Sequence, residues 1–286
     1  MSEPEPPPGL TPTREVVVTR VGADGVTRTR DVAAAEEPLD VRLHGKSFAV
    51  IMRTPGQDRA LAAGFLLSER IIRSADDLGA VEHCRHPDQS RAHHVVDVYL
   101  RGTAAARVPG LLEQRRQVIA NSSCGVCGRA TIDELAADVT PLPAGDIVHV
   151  DVIRALPSRL REQQAMFEET GGLHGVALFS HAGDLIGSAE DVGRHNAVDK
   201  VLGSLLLADT AVGSTFSAAG ILMVSGRVSF EIVQKAWLGG VATVAAVSAP
   251  TSLAIELAEA AGITLLGFVR DRSLNIYTHT ARIGGV

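Results

Sequence analysis

Two thiols separated by two residues, each followed by glycine, stand in the stretch Asn121-Ser-Ser-Cys124-Gly125-Val126-Cys127-Gly128-Arg129. The thiolate is the reactive form of cysteine, and it is favoured beside the positive end of a helix dipole. Directly downstream, Thr131-Ile-Asp-Glu134 has the S/T-x-x-E spacing of a capping box, which predicts a helix start. Gly125 and Gly128 free the backbone and leave the sulfurs uncrowded. A CxxC pair has three ordinary uses: half of a zinc site, a dithiol redox pair, or a sulfur-carrying nucleophile with a helper thiol. Zinc needs two further ligands, for which only Cys84 and the histidines near it are at hand. A thioredoxin-type pair follows a strand, whereas Arg115-Arg116-Gln117-Val118-Ile119-Ala120 leads here into a glycine-rich loop. On the residues alone the three uses stand level.

A second set of polar residues falls in four short segments: Glu190-Asp-Val-Gly-Arg194-His195-Asn196, Ser225-Gly226-Arg227, Ser248-Ala-Pro-Thr-Ser252 and Val269-Arg270-Asp271-Arg272-Ser273. The first three lead into helix starts, where free backbone amides hold phosphate. Arg194, Arg227, Arg270 and Arg272 add charge-assisted contacts for a planar or phosphorylated ligand. One such loop alone is an exposed turn; four together in an acidic chain favour an anionic ligand. The histidines of Glu82-His83-Cys84-Arg85-His86 and His93-His94 lack the paired spacing of a zinc site and read as a solvated hairpin tip.

The elements that must position these groups follow from periodicity. Residues Met1 to Thr13, rich in proline and acid, read as a disordered tail. The alternation across Glu15 to Arg30, with Ala23-Asp24-Gly25 between, predicts a β-hairpin; strands follow at Leu39–Leu43 and Phe48–Met52. Thr54-Pro55 opens a helix running to about Arg70. Strands flank a polar loop between Val81 and Leu100, and Pro141-Leu-Pro143-Ala-Gly145 reads as a linker. Three regions result: the tail 1–13, an α+β part 14–145 carrying the CxxC, and an α/β part 146–286. In the last, a helix spans Asp151 to Thr170, with Leu160, Met166 and Phe167 on its apolar side. Strands at Val176–Phe179, Leu185–Ser188, Ile221–Val224, Val241–Val247, Thr264–Phe268 and Leu274–Tyr277 then alternate with helices at Asn196–Leu207, Val228–Leu238 and Thr251–Ala261. That alternation predicts a mainly parallel sheet between helix layers, with ligands outside the carboxyl ends of its strands.

Composition narrows the class. The chain has 286 residues, 45% hydrophobic and 21% charged, enough for one large or two modest cores. Only 3% aromatic residues and a net charge of −6 argue against a nucleic-acid surface. Three cysteines are too few for a disulfide framework, and the N-terminus lacks an apolar signal core, so a cytoplasmic protein is expected. The apolar run Ala236–Ala249 is broken by Gly239-Gly240 and too short for a bilayer, so no membrane segment is expected.

The chain resembles the FdhD family of formate dehydrogenase accessory proteins. The matching residues are Ser123-Cys124-Gly125-Val126-Cys127-Gly128, Thr170-Gly171-Gly172-Leu173-His174-Gly175-Val176-Ala177, Glu190 through Lys200, Val224-Ser225-Gly226-Arg227, and Gly267-Phe268-Val269-Arg270 with Tyr277-Thr278. The resemblance implies a sulfurtransferase that takes persulfide sulfur from a cysteine desulfurase and passes it to the molybdenum cofactor, in its bis guanine dinucleotide form, for formate dehydrogenase. It implies Cys124 as the persulfide-bearing residue, Cys127 as the assisting thiol, and Phe268, Val269, Arg270, Asp271, Arg272 and Ser273 as the cofactor-binding segment. No metal held by the protein itself is implied, and a homodimer is expected. The family's C-terminal domain is similar to cytidine deaminases, a three-layer α/β fold. A zinc deaminase is the rival, but it needs a later cysteine pair and no cysteine follows Cys127. The non-catalytic alternative is a cofactor chaperone with a structural or zinc-binding CxxC.

Overall fold

A computed structural model describes residues 11–84, 93–115, 139–143, 146–212 and 220–286. The expected hairpin forms from β1 (Thr13–Gly22) and β2 (Gly25–Ala34), paired antiparallel from Thr13↔Ala34 to Gly22↔Gly25. The turn needs a positive φ, and Gly25 supplies it at 119°. Pro12 and Thr13 are in place, since the Ala35 N–H donates to the Pro12 carbonyl at 2.8 Å; the rest of the expected tail, to residue 10, lies outside the described residues.

The next sheet contains β3 (Glu37–Leu43), β4 (Lys46–Arg53), β5 (Leu78–His83) and β6 (Val95–Leu100) in the order β4-β3-β6-β5. Period-2 burial sends Leu39, Val41 and Leu43 inward against Leu61 and Leu66 of α1 (Asp58–Ser68). Ala104 and Val108 of α2 (Gly102–Arg115), a helix the pattern did not announce, close the same core. Helix α1 also starts later than Thr54-Pro55 suggests. Arg53 is fully buried and forks onto Asp58, with Nε to Oδ1 at 2.9 Å and Nη2 to Oδ2 at 2.8 Å. The chain between them makes a tight turn through Gly56 at φ 108° and Gln57 at φ 54°.

The remaining elements are β7 (Val148–His149), α3 (Val150–Arg161), α4 (Ala165–Thr170), β8 (His174–Phe179), β9 (Leu185–Asp191), α5 (Arg194–Val212), β10 (Ile221–Val224), α6 (Phe230–Leu238), β11 (Thr243–Ala246), α7 (Ser252–Ala260), β12 (Thr264–Gly267), β13 (Asn275–Ile276) and β14 (Ile283–Gly284). Six strands form one sheet in the order β13-β12-β11-β10-β8-β9. One of its faces buries Val198 and Leu202 of α5, Ile232 of α6 and Leu257 of α7; the other buries Ile153, Leu156 and Leu160 of α3. The expected three layers are present. The sheet is mixed, however, because only β10–β11 and β11–β12 pair in parallel, while β8–β9, β8–β10 and β12–β13 are antiparallel. The short connection from Phe179 to Leu185 is a hairpin, which reverses direction and cannot make a parallel pair.

The single helix expected from Asp151 to Thr170 is two. Glu190, a buried carboxylate from β9, accepts from Met166 N at 3.0 Å and Phe167 N at 2.7 Å, so a new helix begins there. Leu160 sits in the core, whereas Met166 and Phe167 are half-buried. At the expected linker, Leu142 N donates to the Ala261 carbonyl and the Trp237 indole to the Thr140 carbonyl, both at 2.9 Å.

Candidate functional site

Strands β9, β10, β11 and β12 end on one edge of the large sheet, because β9 and β10 both oppose β8 while β10, β11 and β12 run together. The four expected loops therefore meet. Ser225 N donates to the Gly175 carbonyl and Gly175 N to Ser225 Oγ, both at 3.0 Å. Val228 N reaches the Ala249 carbonyl and Phe268 N the Ser248 carbonyl, both at 3.1 Å.

Most of the segment from Glu190 to Lys200 serves as a joint. Asp191 is fully buried; its Oδ1 accepts from Gly193 N at 2.8 Å and Asn196 Nδ2 at 2.9 Å, and its Oδ2 accepts from Thr54 N at 3.1 Å. The ammonium of Lys200, also buried, lies 2.7 Å from Oδ2 and donates to the Thr54 carbonyl at 2.8 Å and the Glu190 carbonyl at 3.2 Å. Asn196 Nδ2 further donates to the Met52 carbonyl at 2.8 Å. One turn on, Asp199 receives Lys235 Nζ on both oxygens at 2.8 Å and the Ser68 hydroxyl at 2.6 Å. Buried charges persist only when paired and hydrogen-bonded, and this network achieves that while tying β4 and α1 to the strand-end edge. Arg194 and His195 are left facing outward, half-buried.

The segment expected to bind cofactor makes a tight turn at the same edge. Phe268 has φ 52° and an exposed ring, while Val269 is buried in the core on the α3 side. Arg270 N donates to the Ser273 carbonyl at 2.8 Å, and Arg270 Nη1 donates to the carbonyls of Val247 at 2.6 Å and Val269 at 2.8 Å. Part of its guanidinium is thus committed to holding the turn. Asp271, Arg272 and Ser273 are exposed.

Beside this turn lies a cleft of about 580 Å³, within the range of small-ligand sites, whose walls include Arg161, Gln164, Phe167, His174, Ser225 and Val247. Its wall residues do not include Phe268 to Ser273, which reach it only through Arg270 on Val247. Arg161 stacks over the Phe167 ring, 4.7 Å from its centroid, and pairs with Glu168. Burial, reinforced by Arg194 and His195, holds the His174 imidazole below its ordinary pKa against the opposing pull of Asp191. Sequence reasoning placed His174 in a matching motif but gave it no role, and Arg161 and Phe167 sat inside what read as one helix.

Cys124, Cys127 and the Thr131 cap lie outside the described residues. Cys84 directly follows β5 and is half-exposed, its N–H donating to the Val95 carbonyl at 3.1 Å. No helix among the described residues is long and apolar enough to cross a membrane.

Fold and edge together define a mixed α/β protein in which a small antiparallel-rich sheet is riveted to a three-layer unit whose strand ends are lined by loops. The chain belongs to the FdhD/NarQ family, whose model matches residues 34–284. It is 48% identical over 260 residues to the sulfur carrier protein FdhD of Anaeromyxobacter dehalogenans (strain 2CP-C), covering 89% of each chain. It is 45% identical over 283 residues to the sulfur carrier protein FdhD of Streptomyces avermitilis, covering 96% of each. Its fold matches the crystal structure of a Desulfotalea psychrophila protein assigned as a formate dehydrogenase accessory protein, with a TM-score of 0.74 at 22% identity over 96% of this chain and all of that one.

Proposed function

We propose that this chain is a sulfur carrier serving formate dehydrogenase. In this reading Cys124 accepts persulfide sulfur from a cysteine desulfurase, Cys127 assists by thiol exchange, and the sulfur passes to the molybdenum cofactor in its bis guanine dinucleotide form. The observation that carries the reading is the extent of the likeness: the family match from 34 to 284 runs through both the CxxC and the strand-end loops, and relatives at 48% identity are named sulfur carriers. The region 14–145 then carries the sulfur and 146–286 the cofactor.

The residues at the edge suit such a cargo. A guanine dinucleotide offers flat rings and phosphates; Phe268 offers an exposed ring, Arg272 an exposed guanidinium, and the starts of α5 and α6 offer backbone amides. The cofactor supplies the acceptor for sulfur, while this chain binds it and presents the thiols. Formate dehydrogenase activity in cells relying on each variant tests the reading. Cys124→Ala should abolish activation and Cys127→Ala reduce it; normal activity with Cys124→Ala would refute it.

A further inference from the structure

The cleft beside the strand-end loops holds polar side chains that the fold leaves unspent. Gln164 is only 5% exposed and stands at the N-cap of α4, yet its carboxamide caps nothing. The amides it would ordinarily serve, those of Met166 and Phe167, are held by Glu190. Among the described residues the carboxamide has no hydrogen-bond partner, and it lies over Gly175, where a Cβ would stand 2.6 Å from its Cδ and Nε2. Gly175 N in turn donates to Ser225 Oγ at 3.0 Å, which brings that hydroxyl close to the carboxamide with its own proton unclaimed by any described residue. His174, next in the chain, makes no side-chain hydrogen bond to a described residue either, and Gly226 leaves room for its ring, since a Cβ there would stand 3.4 Å from Nδ1. Buried polar groups are nearly always hydrogen-bonded, so three neighbouring groups left open in one cleft point to a ligand as their partner.

Charge decides what kind of ligand fits. The guanidinium of Arg161 is paired with Glu168 and stacked over the Phe167 ring. Burial, with Arg194 and His195, holds His174 below its ordinary pKa and so keeps it uncharged near neutral pH. A phosphate would find no uncompensated charge in this cleft, whereas Arg270 and Arg272 are exposed on the outer turn. A carboxamide, a hydroxyl and a neutral imidazole instead offer donors and acceptors close together, the complement of an uncharged ring edge. The stacked Arg161 and Phe167 add a flat surface that such a ring can join. We propose that the cleft binds a flat, uncharged heterocycle whose edge carries adjoining donors and acceptors, held by Gln164, Ser225 and His174 and stacked on Arg161 and Phe167.

Which ring the cleft takes rests on the sulfur-carrier reading; the site itself does not. The cargo in that reading carries two kinds of ring, guanine and pterin, and both present the same edge: a ring carbonyl, a ring N–H and an exocyclic amine. The carboxamide and the hydroxyl supply donors for the carbonyl, and the carboxamide and the imidazole supply acceptors for the N–H and the amine. Arg270 Nη1 donates to the carbonyl of Val247, itself a wall residue, so the cleft adjoins the outer turn. A ligand with its ring in the cleft can therefore lay its phosphates along the exposed arginines, the neutral part inside and the charged part outside.

The test titrates the full-length protein at neutral pH and fixed salt with two phosphate-free probes: guanosine, by calorimetry, and neopterin, by quenching of its fluorescence. At least one should bind, and the one that binds names the ring. Gln164→Glu should weaken that binding by about tenfold or more, because a carboxylate cannot donate to the ring carbonyl. Phe167→Leu, at a half-buried position, should weaken the same probe by roughly five- to a hundredfold through the lost stack, and it decides the matter if Gln164→Glu proves unstable. Arg272→Ala, on the outer turn, should leave the affinity for either phosphate-free ring unchanged. No binding of either probe at millimolar concentration, wild-type affinity in both cleft variants, or a loss seen with Arg272→Ala in their place overturns the proposal. Sulfur uptake from a cysteine desulfurase is measured on the same wild-type protein. Uptake without ring binding sinks the cleft alone; ring binding without uptake sinks the carrier reading and leaves the cleft site standing.

Discussion

Asp191 shows what a single residue does at this edge: one fully buried carboxylate takes Thr54, Gly193, Asn196 and Lys200 at 2.7 to 3.1 Å. Asp191→Asn keeps the shape but leaves the Lys200 ammonium buried without a counter-charge, which should cost about 3–5 kcal/mol. Urea unfolding measures this, and wild-type stability would contradict the joint. Arg270 works more locally. If the proposed cofactor segment binds nucleotide, Arg270→Ala should weaken GDP binding by roughly ten- to a hundredfold at fixed salt, the equivalent of about 1.4–2.8 kcal/mol. Equal affinities in calorimetry would place the nucleotide elsewhere on the edge. Cys84, half-exposed just past β5, should be a bystander, so that Cys84→Ser leaves formate dehydrogenase activation near normal.

Between elements, the decisive contact is α1 against α5. A Cβ on Gly64 would collide with the backbone of Asp199, and one on Gly203 with the carbonyl of Ala60, so the helices approach as closely as glycine allows. Gly203→Ala must push them apart and should cost at least about 2 kcal/mol in urea unfolding; an unchanged midpoint would mean the helices separate freely. Local pattern found the hairpin at Ala23-Asp24-Gly25, the strands of both larger sheets and the starts of α5 and α7. It did not find the break between α3 and α4, because the carboxylate that starts α4 comes from Glu190, 23 and 24 residues beyond the amides it caps. Nor did it find the late start of α1, which is fixed by the buried fork of Arg53 on Asp58.

For the molecule as a whole, long-range pairing decides which polar residues are spent inside the fold and which face outward. The segment Glu190 to Lys200 was legible as important, but its division into joint and outward face depends on Met52, Thr54 and Ser68, more than 130 residues away. Titration should expose the same packing. Burial, the leading cause at both sites, lowers the His83 and His174 pKa values below the ordinary 6.5, so below that pH the unfolded chain takes protons that the folded chain refuses. Glu231, depressed from 4.5, adds stability that is present above that value and lost as pH falls further. Urea midpoints should therefore drop steadily from pH 7.5 to 4, with the upper part of the fall reduced in His174→Asn; a flat profile would contradict the burial of these groups.

In the proposed function, sulfur rides on the CxxC. Intact-mass and peptide mass spectrometry after incubation with a cysteine desulfurase and cysteine tests it directly. One added sulfur atom, released by reductant, is expected on the peptide holding Cys124, and none in Cys124→Ala. No added sulfur on the wild type, or equal loading of Cys124→Ala, would contradict it.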